Sequence, residues 1–212
     1  MDAVETAVAA VRSVGPDTVA IDVETPTDFA ARPGQFVKVS ADPDGEARFY
    51  TISSPDTEGT FEITVEIDPD GELGPWLAAL GAGDSLHIEG PFGNVHYDGE
   101  ARSLVLAGGP GVGPAVGIAE RALAEGNTVG VVYRDADPVH EERLTDAADD
   151  GAFVAIVDDD DALAAAVADA LDSVGTDAQV FVYGFADFLD AATAVLGDAG
   201  VDPDDALVEN FG

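Results

Sequence analysis

Along the first 98 residues, apolar and polar positions alternate in short runs. The alternation predicts β-strands over Val4–Val14, Thr18–Thr25, Gln35–Ser40, Arg48–Ser53, Thr60–Ile67 and Ser85–Glu89. Turn signals divide the runs: Gly15-Pro16, Pro33-Gly34, Pro43-Asp44-Gly45, Glu58-Gly59 and Asp68-Pro69-Asp70-Gly71. Strands this short and this closely spaced predict a small antiparallel barrel. One interruption falls before the last of them, where Leu73–Leu80 reads as a short helix.

Beyond residue 100 the period changes. Apolar runs at Leu104–Ala107, Val129–Tyr133, Phe153–Val157 and Val180–Tyr183 lack alternation, as strands buried on both faces do. Alanine-rich helical patterns lie between and after them, at Ala115–Glu125, Glu141–Ala148, Ala162–Leu171 and Phe188–Leu196. A last short strand is expected near Leu207-Val208. Strand–helix alternation predicts a doubly wound, five-stranded parallel sheet. The chain therefore divides into a barrel domain, 1–98, and an α/β domain, 99–212.

Composition narrows the function. The chain has 212 residues, 43 acidic against 8 basic, and a formal net charge of −35. Such a surface repels phosphate backbones and anionic lipid, so neither nucleic-acid binding nor membrane insertion is expected. The acid is spread over both halves, and there is a single lysine. This resembles proteins of salt-loving cells, where molar salt shortens the Debye length to ~3 Å and screens self-repulsion. The absence of cysteine excludes disulfides, a cysteine-ligated iron–sulfur cluster and a cysteine nucleophile within the chain. No metal site is expected. The start of the chain lacks the basic region of a signal peptide, and no apolar run reaches membrane-spanning length, so a cytoplasmic protein is expected.

Several clusters carry candidate chemistry. Arg48-Phe49-Tyr50-Thr51-Ile52-Ser53-Ser54 puts a guanidinium fork suited to phosphate close to a flat phenol ring. An exposed arginine on a strand is the plainer reading of Arg48 alone. Gly71-Glu72-Leu73-Gly74-Pro75 opens a helix whose first N–H groups suit an anion, or is an ordinary loop-to-helix junction. Gly108-Gly109-Pro110-Gly111-Val112-Gly113-Pro114 joins a strand to a helix, and its glycines allow close approach of a diphosphate. It departs from G-x-G-x-x-G spacing because Pro114 takes the last glycine's place. Tyr183-Gly184 closes a strand expected beside that turn. Phe211 lies next to the terminus, where it could serve simply as a core plug.

Taken in order, these motifs resemble the ferredoxin/flavodoxin–NAD(P) reductase family. Arg48–Ser54 is similar to its R-x-Y-[ST]-x-x-S flavin motif, and Asp70–Leu80 to its pyrophosphate loop and helix. Gly90-Pro91-Phe92-Gly93 resembles the element that closes the flavin barrel, Gly108–Pro114 the nicotinamide turn, and Val208–Gly212 the terminal strand. The resemblance implies that FAD binds through Arg48, Phe49, Tyr50, Thr51 and Ser54, with backbone at Gly71, Leu73 and Gly74. It implies that NAD(P)H is held by Gly108, Gly109, Gly111, Val112 and Gly113, with Arg134 nearby and Tyr183-Gly184 forming the nicotinamide pocket. Thr51 would bond the flavin N5 edge, Tyr50 would pack on the flavin, and Phe211 would cover it and yield to nicotinamide.

Three departures accompany the resemblance. Gly74 replaces a hydroxyl residue, Tyr183 stands where the family has cysteine, and Phe185 where it has proline. Asp135 and Asp158–Asp161 fall where an NADP 2′-phosphate would bind, so NADH is favoured. The implied activity is hydride transfer from NAD(P)H to FAD and onward electron transfer to a separate ferredoxin or flavodoxin. The alternatives are a reductase subunit of a larger oxygenase or dehydrogenase, and a nucleotide-binding module that has lost turnover. His87, His96 and His140 are read as structural.

Overall fold

The structure, a computed structural model, describes residues 2–212. The first half forms β1 (Val4–Gly15), β2 (Thr18–Glu24), β3 (Phe36–Ser40), β4 (Ala47–Thr51), β5 (Thr60–Glu66), α1 (Leu73–Ala78) and β6 (Ser85–Phe92). The six strands are antiparallel in the order β4-β3-β6-β1-β2-β5. Strand β1 pairs with β6 through Val4–Ala7 and with β2 from Val8 onward, and its register shifts between Val8 and Ala10. That shift turns the strand from one sheet into the next, as bulges do. A bridge between Ile52 and Ile63 joins the outer strands and closes the barrel. Strand β4 itself stops at Thr51, two residues short of the sequence expectation: the Ile52 N–H still reaches the Gln35 carbonyl ahead of β3, but Ile52 bridges Ile63 and the Ser53 N–H donates to Glu62 of β5. Alternate side chains, among them Val37, Val39, Ile63, Val65, Leu86 and Ile88, fill the interior.

The second half contains β7 (Arg102–Gly108), α2 (Val112–Ala124), β8 (Thr128–Arg134), α3 (Glu141–Asp149), β9 (Phe153–Val157), α4 (Asp160–Val174), β10 (Gln179–Gly184), α5 (Ala186–Asp198) and β11 (Leu207–Asn210). All strand pairs are parallel, in the order β11-β10-β7-β8-β9. Helices α2 and α3 cover one face, with Val116, Ile118 and Leu144 against Val105, Val131 and Phe181. Helices α4 and α5 cover the other, with Val167, Leu171 and Leu196 against Leu104, Val132 and Val182. The strand order reverses between β7 and β10, and ligands bind at such a crevice beyond the carboxyl ends of the strands. Asp159 caps α4 by accepting from the Ala162 N–H at 2.7 Å. Among the described residues no helix is long and apolar enough to cross a membrane.

Candidate functional site

A cleft of about 640 Å³ opens where the barrel meets the carboxyl edge of the parallel sheet. That volume is within the ~300–1,000 Å³ typical of cofactor sites. One wall is β4, which contributes Arg48, Phe49, Tyr50 and Thr51. The floor comes from Thr64 and Glu66 of β5 and from Gly71, Leu73 and Gly74 at α1. The far wall is Pro110, Phe185 and the terminal Asn210, Phe211 and Gly212. Residues some 160 positions apart are thus brought together.

The lining is aromatic at both ends. Phe49 packs edge-on against Phe36 and Phe92, with ring centroids 5.6 and 5.7 Å away, yet remains 61% exposed. Across the cleft Phe185 meets Phe211 edge-on at 6.4 Å. Burial raises the Tyr50 phenol pKa, so the group is a neutral donor at neutral pH. Arg48 is the one cation among the described lining residues, and its Nη2 lies 2.5 Å from Glu46. Glu46, Glu66, Asp68 and Glu72 also line the cleft, and they oppose a bound anion. Helix α1 starts without a capping side chain, which leaves first-turn N–H groups free for a ligand.

The glycine turn is packed differently from its sequence-level reading. A Cβ at Gly108 would run into the Phe188 ring, one at Gly111 into the Tyr183 carbonyl, and one at Gly113 into the Thr51 hydroxyl. These three glycines accommodate protein neighbours, so they are small for a reason other than room for a diphosphate. Gly109 alone has open space at its Cβ position, and its φ of +54° suits glycine. Val112 is fully buried at the start of α2.

Other expected site residues lie away from the cleft. The Ser54 hydroxyl accepts from the Glu62 N–H, and its carbonyl faces Gly117, so Ser54 joins the barrel to α2 and does not line the cleft. Tyr183 is fully buried, its ring between Phe181 and Phe211 and its hydroxyl donating to the Val95 carbonyl at 3.1 Å. The phenol is taken up by the core cluster that contains Val95 and Phe181. Gly184 backs onto Phe188. The exposed side chain at this strand end is Phe185. The Thr51 hydroxyl donates to the Pro110 carbonyl at 3.4 Å, across the domain boundary.

Arg134 stands at the end of β8, paired in register with Gly108. Its guanidinium is ion-paired with Asp160 and lies 4.9 Å from the Phe188 ring centroid. Asp135, next to it, accepts from the Tyr133 hydroxyl at 3.0 Å. Sequence reasoning missed Phe36, Thr64, Pro110 and Asn210 as lining residues; only the close of the barrel onto the parallel sheet reveals them. His87 and His96 bond neighbouring groups at the surface, and His140 is buried against Thr64 at 2.8 Å.

Residues 5–97 match the oxidoreductase FAD-binding domain family. The glycine betaine monooxygenase reductase subunit of Chromohalobacter salexigens is 42% identical over 98 residues, covering 43% of this chain and 26% of that protein. The toluate 1,2-dioxygenase electron transfer component of Pseudomonas putida is 27% identical over 149 residues, covering 66% of this chain and 44% of that one. The chain thus spans less than half the length of these curated relatives. Among solved structures, a ferredoxin NADP+ reductase from Neisseria gonorrhoeae with bound FAD and NADP superposes over the whole of both chains, with a TM-score of 0.82 and 16% identity. The ferredoxin reductase of carbazole 1,9a-dioxygenase gives 0.79 and 24% identity, covering 99% of this chain and 69% of the other.

Proposed function

We propose, from the premise that residues 5–97 belong to the oxidoreductase FAD-binding domain family and that the two-domain fold is the ferredoxin reductase fold, that this chain moves electrons from a nicotinamide nucleotide to a separate acceptor. The observation that carries the proposal is the interdomain cleft, which combines aromatic faces, one guanidinium and uncapped helix N–H groups on the barrel side with Pro110 of the glycine turn, Phe185 and the terminal Phe211 on the other. These residues fit FAD. Phe36, Tyr50 and Phe211 offer flat surfaces for a planar ring, and Arg48 with the N–H groups of Leu73 and Gly74 suits a diphosphate. When bound, FAD supplies the hydride and electron chemistry.

The protein's own contribution is placement. Arg48 exchanges Glu46 for phosphate on binding. Phe185 and Phe211 exclude water from the side where the nicotinamide enters, and Phe211 moves to admit it. Gly109 leaves room beside the turn, and the start of α2 favours a negative group there. NADH is the favoured donor, because Arg134 is already held by Asp160 and Asp135 adds a second negative charge nearby. The acceptor is a ferredoxin or flavodoxin. A second reading makes it an oxygenase component, favoured by relatives that are reductase subunits of monooxygenase and dioxygenase systems.

The test is an anaerobic titration of the purified, FAD-loaded chain in molar salt with NADH and then NADPH. Bleaching of the flavin absorbance by NADH, at lower concentration than by NADPH, is the expected result. A chain that retains FAD but is bleached by neither nucleotide would be a binding module, and one that does not retain FAD would overturn the flavin reading. Capture of an iron–sulfur or flavin carrier from the same cells, against capture of an oxygenase, separates the two acceptors.

A further inference from the structure

Four contacts converge on Arg143 of α3, two from α2 of its own domain and two from the barrel across the domain boundary. Its Nε and Nη2 donate to the two oxygens of Glu120 on α2 at 2.7 and 2.8 Å. Nη1 donates to Glu62 on β5 at 2.7 Å, and Nη2 also donates to the Ser53 carbonyl at 2.6 Å. The second Glu62 oxygen accepts from Arg12 of β1 at 2.7 Å. Glu62 is only 6% exposed. Burial alone would raise its carboxyl, yet the Arg143 charge and the hydrogen bonds from Ser53 and Arg12 hold it below the usual range.

Each anchor is one short step from a cleft wall. Ser53 follows Thr51 by two residues, and Glu62 precedes Thr64 by two on the same strand; Thr51 and Thr64 both line the cleft. Glu120 rides on α2, whose second residue is Gly113, and Gly113 abuts the Thr51 hydroxyl. Beside the Thr51–Pro110 and Thr64–His140 hydrogen bonds, the seam contains close approaches at glycines. A Cβ at Gly117 would lie 2.8 Å from the Ser54 carbonyl, and one at Gly15 would overlap Val139. Such contacts resist compression but not sliding, because they have no direction. A planar guanidinium with acceptors on two domains fixes direction as well.

We infer that Arg143 is a positioning residue: it sets the register between the barrel wall and the glycine turn, and so the separation of the two nucleotide sites. This rests on the electron-transfer reading above. The pin is suited to molar salt, because a buried pair is screened far less than a surface pair. Lysine cannot replace it, since one ammonium group cannot reach four acceptors in one plane.

The chain has no cysteine, so a single disulfide can be added as a control. A Cβ at position 15 falls 3.4 Å from the Val139 Cβ across the seam, close to the ~3.5–4.5 Å of disulfides. Anaerobic reduction of the FAD-loaded full chain by NADH is followed for the native protein, for Arg143→Gln, and for Arg143→Gln with Gly15→Cys and Val139→Cys. Arg143→Gln is expected to keep its flavin content and its half-saturating NADH concentration. Its maximal reduction rate is expected to fall about 10- to 100-fold, the penalty of an ångström-scale misplacement. Oxidising the introduced pair is expected to restore most of that rate, and reducing it to abolish the rescue. A native rate in Arg143→Gln, or a slow rate untouched by the crosslink, overturns the inference. If Arg143→Gln does not fold, Glu120→Gln is scored by the same criteria. If the native chain is not reduced by either nucleotide, the functional reading fails separately, and calorimetry judges the pin. Two resolved unfolding transitions in the variant against one in the native chain support it; one transition in both overturns it.

Discussion

Glu46 competes for Arg48 with any anion that enters the cleft, because the arginine already has this carboxylate partner at 2.5 Å. A charge-assisted hydrogen bond contributes ~1.5–3 kcal/mol. Arg48→Ala is therefore expected to weaken FAD retention by about 10- to 100-fold, read by equilibrium dialysis in molar salt. Glu46→Gln should act in the opposite sense and tighten it. Unchanged affinity in both variants would remove Arg48 from the diphosphate site. Arg134 poses the same question at the other nucleotide. Asp160 occupies its guanidinium, and Asp160→Asn would free that group for a 2′-phosphate. The ratio of kcat/KM for NADH over NADPH is expected to drop by roughly tenfold, or ~1.4 kcal/mol. A ratio that does not move would place the 2′-position elsewhere.

At the scale of elements, the turn from β7 into α2 separates two uses of glycine. Gly111→Ala would drive a methyl group into the Tyr183 carbonyl, and overpacking of this kind costs ~1–3 kcal/mol. Gly109→Ala meets open space and costs only the left-handed conformation, ~1–2 kcal/mol. Urea denaturation should rank Gly111→Ala as the more damaging. NADH titration should show the larger loss of nucleotide binding per unit of lost stability in Gly109→Ala. The elements themselves were legible in the sequence. Alternation marked the barrel strands, unbroken apolar runs marked the parallel ones, and Phe153–Val157 matches to the residue. The cleft's aromatic and charged wall at Arg48–Thr51 was legible too, since a rare cation beside a tyrosine stands out. What the pattern does not carry is direction. Tyr183 lies near the end of β10 and Phe185 just after it, yet the phenol is buried in the interdomain core and the phenyl exposed. Nor can spacing reveal that Gly113 is small for the sake of Thr51, 62 residues earlier, or that Arg143 reaches back to Glu62.

For the molecule as a whole, two electrostatic effects of opposite sign meet in its response to acid. The surface carries a net charge of −35, and its self-repulsion destabilises the compact state wherever the Debye length is long, ~10 Å at 0.1 M salt against ~3 Å at 1 M. Stability should therefore rise with salt, and protonating surface carboxylates at low salt should relieve repulsion. Inside the seam the sign is reversed. His140 is buried, with Thr64 at hydrogen-bond distance and Arg143, Glu62 and Arg12 as its charged neighbours. Burial, reinforced by the Arg143 charge, lowers its pKa to about 4 from an ordinary 6.5. Between those values the unfolded chain binds a proton that the folded chain refuses, so stability present above pH 6.5 is lost as pH falls toward 4. The Glu62 carboxyl, held low by its partners, extends the loss below the ordinary carboxylate range. In molar salt, where relief of surface repulsion no longer offsets it, the His140 effect is expected to reach on the order of 3 kcal/mol across this window. Denaturant midpoints measured at pH 7, 5.5 and 4.5 should fall in 1 M salt or above and change less in 0.1 M salt. His140→Asn, which tolerates the left-handed backbone at this position, should flatten the high-salt slope. An equal slope in His140→Asn would mean that the acid response comes from the surface and not from the seam.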